Sequence, residues 1–315
     1  MKIRRIDLQV GYSCNNNCIH CFNLDIIRDL KAKRKPLDKT TEKIKEILRK
    51  ARNNGVKEVV FTGGEPTIRK DFFELLAYAK ELEFRTGLQT NGRTFSDTEF
   101  ARKTLELDKN MGITIPLHHV DKKIHDAITR VKGSWKQTVR GIKNLVKLGA
   151  NNISLKMVIL KQNYRFMKEF VEFAHSLNIH SISFASVQAG GWARINWFKI
   201  SPYYTEIKPY LREALERANR LGMKINTFGI PFCLIEGYEN FSEELRYGKM
   251  DLEGENFQRF STRREDGIRE LEILKRVKPK ACKHCKFFNS CLGVWEEYVK
   301  FYGDEEFKLL RIGSE

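Results

Sequence analysis

Residues 10–23, VGYSCNNNCIHCFN, place three cysteines within eight positions, Cys14, Cys18 and Cys21, directly after a run typical of a first β-strand. Loops that follow the strands of a parallel α/β sheet lie at its C-terminal edge, where ligands bind. The three thiols therefore stand where chemistry is expected, and their number is itself informative.

A tight trio of cysteines suits an iron–sulfur cluster better than a zinc ion. Structural zinc usually takes four protein ligands, commonly from paired short motifs. His20 could supply a fourth ligand, but its position next to Cys21 makes that geometry awkward. A cluster of four irons and four sulfides has four corners, so three thiolates leave one iron open to a cofactor. Zinc and inert thiols are the less favoured alternatives.

Length and composition indicate a globular chain. With 315 residues, 41% of them hydrophobic, it can bury a substantial core in one large domain or two modest ones. The N-terminus lacks the apolar region of a signal peptide, and no run approaches the roughly 18 apolar residues of a membrane span. We therefore expect a cytoplasmic protein without membrane contact. Seven cysteines in two groups favour metal binding over a secreted disulfide framework.

Strand and helix signals alternate along most of the chain. The predicted strands are 3–10, 58–61, 85–89, 112–117, 153–160 and 181–185, and the predicted helices are 41–53, 71–83, 97–109, 135–148, 164–176 and 203–221. This alternation predicts an α/β fold in which six parallel strands are covered by helices. The regular pattern stops near residue 228, so we predict two domains, 1–227 and 228–315.

The C-x3-C-x2-C spacing after the first strand resembles the signature of the radical S-adenosylmethionine (radical SAM) enzymes. The stretch FTGGEPTIRKD, residues 61–71, is similar to that family's GGE motif, which receives the amino group of the cofactor's methionine moiety. The residues that this motif would bring to the cofactor are Gly63, Gly64, Glu65 and Pro66. Glycines let a backbone approach a ligand closely, and a carboxylate accepts from an ammonium. The resemblance implies a partial (β/α)6 TIM-like barrel.

Weaker matches lie at the ends of later strands. Asn91, Thr114 and Lys156 stand where relatives often place polar contacts to SAM, and His20 stands where an aromatic residue usually touches adenine. A plain turn explains Asn91, and an exposed strand end explains Lys156, about as well.

The segment 117–135, LHHVDKKIHDAITRVKGSW, resembles a substrate-side loop of many relatives. Its candidates for substrate contact are His118, His119, Asp121, His125, Asp126 and Arg130. Because loops are polar in any case, this interpretation is weaker than that of the cysteines.

Four further cysteines complete the count: Cys233, Cys282, Cys285 and Cys291. The C-x2-C-x5-C spacing of the last three resembles the C-terminal extensions called SPASM, with two auxiliary 4Fe–4S clusters, or the shorter twitch form, with one. SPASM would continue with a cysteine where this chain has Trp295, so the resemblance implies one auxiliary cluster with four thiolate ligands in a small, irregular C-terminal domain. A four-cysteine zinc site is the alternative, since C-x2-C is equally a zinc knuckle.

The resemblance implies radical chemistry. SAM would bind the open iron, and one electron from an external ferredoxin or flavodoxin would cleave it to a 5′-deoxyadenosyl radical, which abstracts hydrogen from the substrate. A fully ligated auxiliary cluster would accept or relay an electron, which favours net oxidation. With all seven cysteines assigned, none remains to quench a product radical, and no residue is singled out as a catalytic acid or base.

Three classes of function follow. The first is an enzyme that modifies a peptide or protein side chain, with any leader-binding protein as a separate partner. The second modifies RNA, such as tRNA, or a small molecule; residues 28–57 motivate it, because they hold twelve Lys or Arg against four Asp or Glu. Much of that segment is also the solvated face of an amphipathic helix. The third is a non-catalytic iron–sulfur or zinc module.

Overall fold

The computed structural model describes residues 5–243, 245, 259–261, 269–270 and 276–310. Seven parallel strands lie side by side in chain order. They are β1 Arg5–Gln9, β2 Glu58–Thr62, β3 Arg85–Gln89, β4 Gly112–Pro116, β5 Ile153–Ile159, β6 Ser181–Ser186 and β7 Lys224–Phe228. Two short strands, Arg259–Ser261 and Arg269–Glu270, extend this sheet beyond β1.

Helices alternate with the strands, as parallel pairing requires. They are α1 Leu24–Ala32, α2 Thr41–Asn53, α3 Phe72–Glu81, α4 Thr98–Leu107, α5 Lys122–Thr129, α6 Ser134–Lys147, α7 Met167–Ser176, α8 Trp192–Ile195, α9 Trp197–Ile200 and α10 Tyr204–Arg220, followed by Glu296–Tyr302 and Phe307–Leu310. In the part of the chain that the structure describes, no helix has the length and apolar character needed to cross a bilayer.

The predicted α/β fold with a partial TIM-like barrel is confirmed, since all six predicted strands are present in the predicted order. The helix predicted over 41–53 is α2, and its apolar residues are buried as expected. The structure adds a seventh strand to the six predicted ones, because β7 pairs with β6 in parallel. The division of the chain at residue 228 stays a prediction.

The two faces of the sheet differ in polarity. In β5, Leu155 and Met157 are fully buried, whereas Ser154 and Lys156, on the other face, are half-buried. In register across β1 to β5 this second face carries a row of polar side chains, which end β1, β2 and β3 but lie in the middle of β4 and near the start of β5: Gln9, Thr62, Gln89, Thr114 and Ser154. Buried polar groups are costly unless they find partners, so this polar row is suited to a bound ligand.

Trp295 fastens the C-terminal region to the sheet. Its Nε1 donates to Ser186 Oγ at the end of β6 (2.7 Å), and that hydroxyl donates to the Gly229 carbonyl (2.6 Å). The Arg276 guanidinium lies 3.7 Å from the indole centroid, and the Phe228 ring lies 5.7 Å away. Only 3% of Trp295 is exposed. The side chain thus anchors the region that holds the later cysteines to the ends of β6 and β7.

Replacing Trp295 by Ala should lower the free energy of unfolding by about 3–5 kcal/mol, because it removes a buried indole and leaves a cavity. The matched control is Leu309→Ala, since Leu309 is 81% exposed and its loss should cost less than about 0.5 kcal/mol. Urea unfolding followed by circular dichroism measures both. A Trp295→Ala variant as stable as the control would show that this anchor is dispensable.

Candidate active site

Cys14, Cys18 and Cys21 lie in one loop between β1 and α1, at the C-terminal edge of the sheet. All three are free thiols; Cys14 is exposed and the other two are half-buried. Burial raises the pKa of Cys18, and the neighbouring Cys21 and Cys14 raise it further. Burial also raises the pKa of Cys21. Binding of a metal would oppose this rise, because it favours the thiolate form.

Asp38 shapes the start of this cysteine loop. Its Oδ1 accepts hydrogen bonds from the backbone N–H groups of Tyr12 and Ser13, both at 3.0 Å. A Cβ atom at Gly11 would lie 2.0 Å from the same oxygen, so a side chain there would displace the carboxylate. Asp38 therefore orients the residues that lead into Cys14, a role that sequence reasoning missed.

The GGE loop after β2 packs backbone against backbone on the cysteine loop. The Gly64 N–H donates to the Gly11 carbonyl (2.8 Å), and the Glu65 N–H donates to the Ser13 carbonyl (2.9 Å). A Cβ at Gly63 would lie 2.2 Å from the Gly11 oxygen, and one at Gly64 would lie 2.2 Å from the Ser13 oxygen. Both glycines are thus required by the cysteine loop itself; their approach to a cofactor stays a prediction.

Glu65 ties the loops after β2 and β3 together. Its carboxylate is 3% exposed and accepts four hydrogen bonds. Oε1 accepts from the Thr67 N–H (3.1 Å) and from the hydroxyls of Thr67 and Thr90 (2.7 Å each), and Oε2 accepts from the Asn91 N–H (2.6 Å). Burial raises the pKa of Glu65, while these bonds oppose the rise. Pro66 opens the short 3₁₀ turn that directs the Thr67 N–H to the carboxylate.

The loop after β3 also holds the outer part of the cysteine loop. Asn91 Nδ2 donates to Asn15 Oδ1 at 2.6 Å. Arg93 Nη1 donates to the Asn15 carbonyl and to Asn16 Oδ1 (2.8 Å), and its Nε donates to Gln137 Oε1 on α6 (2.6 Å). Asn91 therefore contacts the cysteine loop, and its contact with the cofactor stays a prediction.

The loop after β6 contacts the other end of the cysteine loop. The Trp192 N–H donates to the Cys21 carbonyl at 2.8 Å. A Cβ at Gly191 would lie 2.7 Å from the same oxygen, and the Gly191 N–H donates to Asp25 Oδ2 at the start of α1 (3.0 Å). Sequence reasoning missed this clamp, although the pair Gly190-Gly191 behind a strand is a turn signal.

Thr114 and Lys156 both lie half-buried on the polar face of the sheet. The Thr114 carbonyl accepts from the Thr90 N–H at 3.1 Å. Lys156 pairs in register with Pro116 on β4, and its Nζ lies 5.6 Å from the ring centroid of Phe228. Both side chains thus lie on the same face as the polar row, and their contacts to SAM stay predictions.

The half-buried His20 packs against two buried imidazoles, His118 and His125. Its ring centroid lies 4.6 Å from that of His118, which lies 5.6 Å from that of His125. Burial lowers the pKa of His20 and of His125 to about 4, and it also lowers that of His118. Among the described residues, Nδ1 of His20 and Nδ1 of His118 have no hydrogen-bond partner. These two ring nitrogens are therefore available to a ligand, and the contact of His20 with adenine stays a prediction.

Other candidates from the segment 117–135 serve the fold. Asp121 and Asp126 accept backbone N–H groups at the first turns of α5 and α6. His119 Nδ1 accepts from the Asp121 N–H (2.8 Å), and the Arg130 guanidinium lies 4.4 Å from the Trp192 ring. For Asp121 the signal was available in the sequence, because an aspartate just before a helical run is a typical N-cap. Asp126 lies within α5 and meets the start of α6 only in the folded chain.

The four later cysteines line one cavity: Cys233, Cys282, Cys285 and Cys291. The Sγ of Cys291 accepts from the backbone N–H groups of Phe232 (3.5 Å) and Gly293 (3.3 Å). Burial raises the pKa of Cys233, and the three other thiols add to that effect. The four thiols thus line one cavity, and N–H···S bonds reach one of them; a cluster bound by the four stays a prediction.

The model of the family described as "Radical SAM superfamily" matches residues 8–174, more than half of the chain. This range includes the cysteine trio and the GGE loop. The chain belongs to the radical SAM superfamily. As a member it is an enzyme, and the family implies a 4Fe–4S cluster and SAM as cofactors.

Similar proteins are known in both sequence and structure. The mycofactocin maturase MftC of Mycolicibacterium smegmatis is 31% identical over 166 residues, which are 53% of this chain and 40% of that protein. A probable GTP 3′,8-cyclase of Saccharolobus islandicus is 28% identical over 173 residues, 55% of this chain and 54% of that protein. The chain thus spans about half the length of these curated relatives.

The fold is also similar to that of Streptococcus suis SuiB, solved with its precursor peptide SuiA. The TM-score is 0.61 at 18% identity, and the match covers 83% of this chain and 58% of SuiB. At this identity the likeness establishes the fold alone, and it supports the partial barrel described above.

Replacing Gly64 by Ala should remove the iron bound by the cysteine trio, because the new Cβ would clash with the Ser13 carbonyl and displace the loop. Gly149→Ala is the control: its φ of +85° strains the backbone of an alanine there, unlike the backbone at Gly64, but nothing lies within 4 Å of the added Cβ. Iron content per chain after anaerobic reconstitution distinguishes the two variants. Equal iron content in both variants would show that the contact between the GGE loop and the cysteine loop is not needed for metal binding.

Proposed function

We propose that this radical SAM enzyme carries out an oxidative modification of a peptide or protein side chain. The observation that carries the proposal is the contrast between two thiol sets: three thiols in an open loop, and four around a cavity that Trp295 anchors to the same barrel. Three ligands leave room for a cofactor, whereas four make a closed electron carrier. A closed carrier beside a radical site favours net removal of electrons from substrate.

The cofactor sites are assigned as follows. The cysteine trio holds a 4Fe–4S cluster, and the residues on the SAM side are His20, Gly63, Gly64, Glu65, Pro66, Asn91, Thr114 and Lys156. When bound, the cluster and SAM supply the reductive cleavage that yields a 5′-deoxyadenosyl radical. The chain's own residues fix the loop of the three thiols through backbone contacts. They also present polar groups on the polar face of the sheet, and burial keeps the neighbouring imidazoles neutral.

The second set, Cys233, Cys282, Cys285 and Cys291, holds an auxiliary 4Fe–4S cluster in the C-terminal domain, which we place at 228–315. The N–H groups of Phe232 and Gly293 stabilise the thiolate of Cys291, because both donate to its sulfur. The alternative remains a zinc site with the same four ligands.

A peptide or protein substrate is supported by the relatives. One solved structure of this fold holds a precursor peptide, and one relative in sequence is a maturase. A leader-binding protein would be a separate partner, and ferredoxin or flavodoxin would be the external electron donor.

A small-molecule substrate is the second candidate, because one relative is a probable GTP cyclase. RNA has less support, since several cations of the basic segment 28–57 that motivated it are paired: Lys43 and Lys50 contact Glu46, and Arg52 contacts Glu83. Those pairs lower the charge that an RNA backbone would meet.

Anaerobically reconstituted protein should hold about eight irons per chain, two cubanes by the ligand count. Replacing Cys14, Cys18 and Cys21 together by Ala should leave about four and abolish cleavage of SAM, because the open cluster is lost. Metal analysis and assay of 5′-deoxyadenosine measure both. An intact protein with about four irons and the balance of metal as zinc would contradict the auxiliary cluster.

Replacing Cys285 by Ala should spare cleavage of SAM, which depends on the first cluster, but should stop product formation because the closed carrier is lost. Ser290→Ala, an exposed residue in the same region, is the control and should retain product. The assay measures 5′-deoxyadenosine, product and thermal unfolding on one preparation.

A Cys285→Ala variant that unfolds would assign the site a structural role. A folded variant that forms normal product would contradict both the electron-transfer role and the structural role.

A further inference from the structure

The positive charge of the chain is neutralised unevenly. On α2, cations are matched by nearby carboxylates: Lys45 contacts Glu74 at 2.6 Å, and Lys50 contacts Glu46 at 2.6 Å. These pairs are exposed, so they contribute little stability, but they cancel much of the field of that helix. This pairing covers only part of the basic segment 28–57, because Arg28, Lys31 and Arg34, which precede α2, form no ion pair with a described residue.

Four cations around the cysteine loop have no such match. Arg93, Arg130, Lys132 and Lys136 form no ion pair with any residue that the structure describes. Arg93 donates only to neutral oxygens of Asn15, Asn16 and Gln137, and Arg130 lies over an indole ring. Lys132 and Lys136 are exposed.

The fold itself gains nothing from the two lysines. They flank the N-terminal end of α6, where the helix dipole disfavours cations, and the first turn of that helix has no acidic residue. The nearby carboxylate of Asp126 is occupied, because it accepts from the Gly133 N–H (2.6 Å), the Ser134 hydroxyl (2.8 Å) and the Trp135 N–H (2.8 Å). The charges of Lys132 and Lys136 are thus not neutralised by the described residues and can attract an anionic partner.

These cations lie beside the cysteine loop. Arg93 is bonded to the loop directly, and the Asn17 N–H donates to the Thr129 carbonyl (3.0 Å), one residue before Arg130. Cys14 and Asn17 are both exposed there.

We propose that this surface, made of Cys14, Arg93, Arg130, Lys132 and Lys136, is the docking site of an acidic electron-donor protein. The proposal rests on the proposed function, because it needs a cluster at the cysteine trio. Unpaired cations attract a partner of negative surface charge and steer its approach. The exposed Cys14 within this surface gives the electron its shortest route. One electron passes from the donor's reduced flavin or iron–sulfur centre to the cluster, with no bond broken and no proton moved.

The test uses the double variant Lys132→Glu/Lys136→Glu, with Lys143→Glu/Lys147→Glu at the far end of α6 as the matched control. The probe is an acidic bacterial flavodoxin, reduced to its hydroquinone. Calorimetry measures its binding, and stopped-flow absorbance measures the rate constant for reduction of the reconstituted enzyme. At low ionic strength the test variant should lose about tenfold or more in rate and affinity, and the loss should shrink with salt. The control should stay within about twofold of the unmodified protein.

Reduction by the cationic methyl viologen radical should be unimpaired in both variants. Equal flavodoxin binding and rate in the test variant, or an equal loss in the control, would overturn the proposal. So would loss of tRNA binding with unchanged flavodoxin reduction, because the surface would then serve a nucleic acid. If viologen-reduced, unmodified enzyme fails to cleave SAM, the proposed function fails, while flavodoxin binding still tests the surface by itself.

Discussion

The backbones of Gly63–Glu65 and Gly11–Ser13 touch, with no room for a side chain between them, and the active site depends on that contact. A Cβ atom added at Gly63 or at Gly64 would lie 2.2 Å from a carbonyl oxygen of the segment Gly11–Ser13. Two N–H···O bonds of 2.8 and 2.9 Å hold the pair together. This contact fixes the backbone of the loop that carries the three thiols.

Further loops act on the same segment. The buried Glu65 joins the loops after β2 and β3, Arg93 reaches Asn15 and Asn16, and the loop after β6 holds Cys21. Each contact comes from the C-terminal end of a different strand, which is how a parallel barrel assembles a site from distant parts of a chain. The radical chemistry of the family needs such positioning because the cofactor, not the protein, supplies the reactivity.

The sequence predicts the regular parts of this molecule well and the irregular parts less well. The six strands and α2 follow from periodicity. The strand β7 was not predicted, because only two of its five residues are buried and its sequence is half polar. The cysteine trio and the GGE loop follow from spacing. The close packing of Gly63 and Gly64 on the cysteine loop could not be predicted, because it joins residues about fifty positions apart in the sequence. Asp126, a candidate for substrate contact, accepts N–H groups at the start of α6 from within α5, and only the fold reveals that contact.

The central claim is that one cluster site is open to SAM and the other is closed. Electron paramagnetic resonance of the reduced, reconstituted protein tests it directly. Addition of SAM should change the g values of one of two cluster signals and leave the other unchanged, because only the three-cysteine cluster has a free iron. Two signals that both ignore SAM, or both respond to it, would contradict the account.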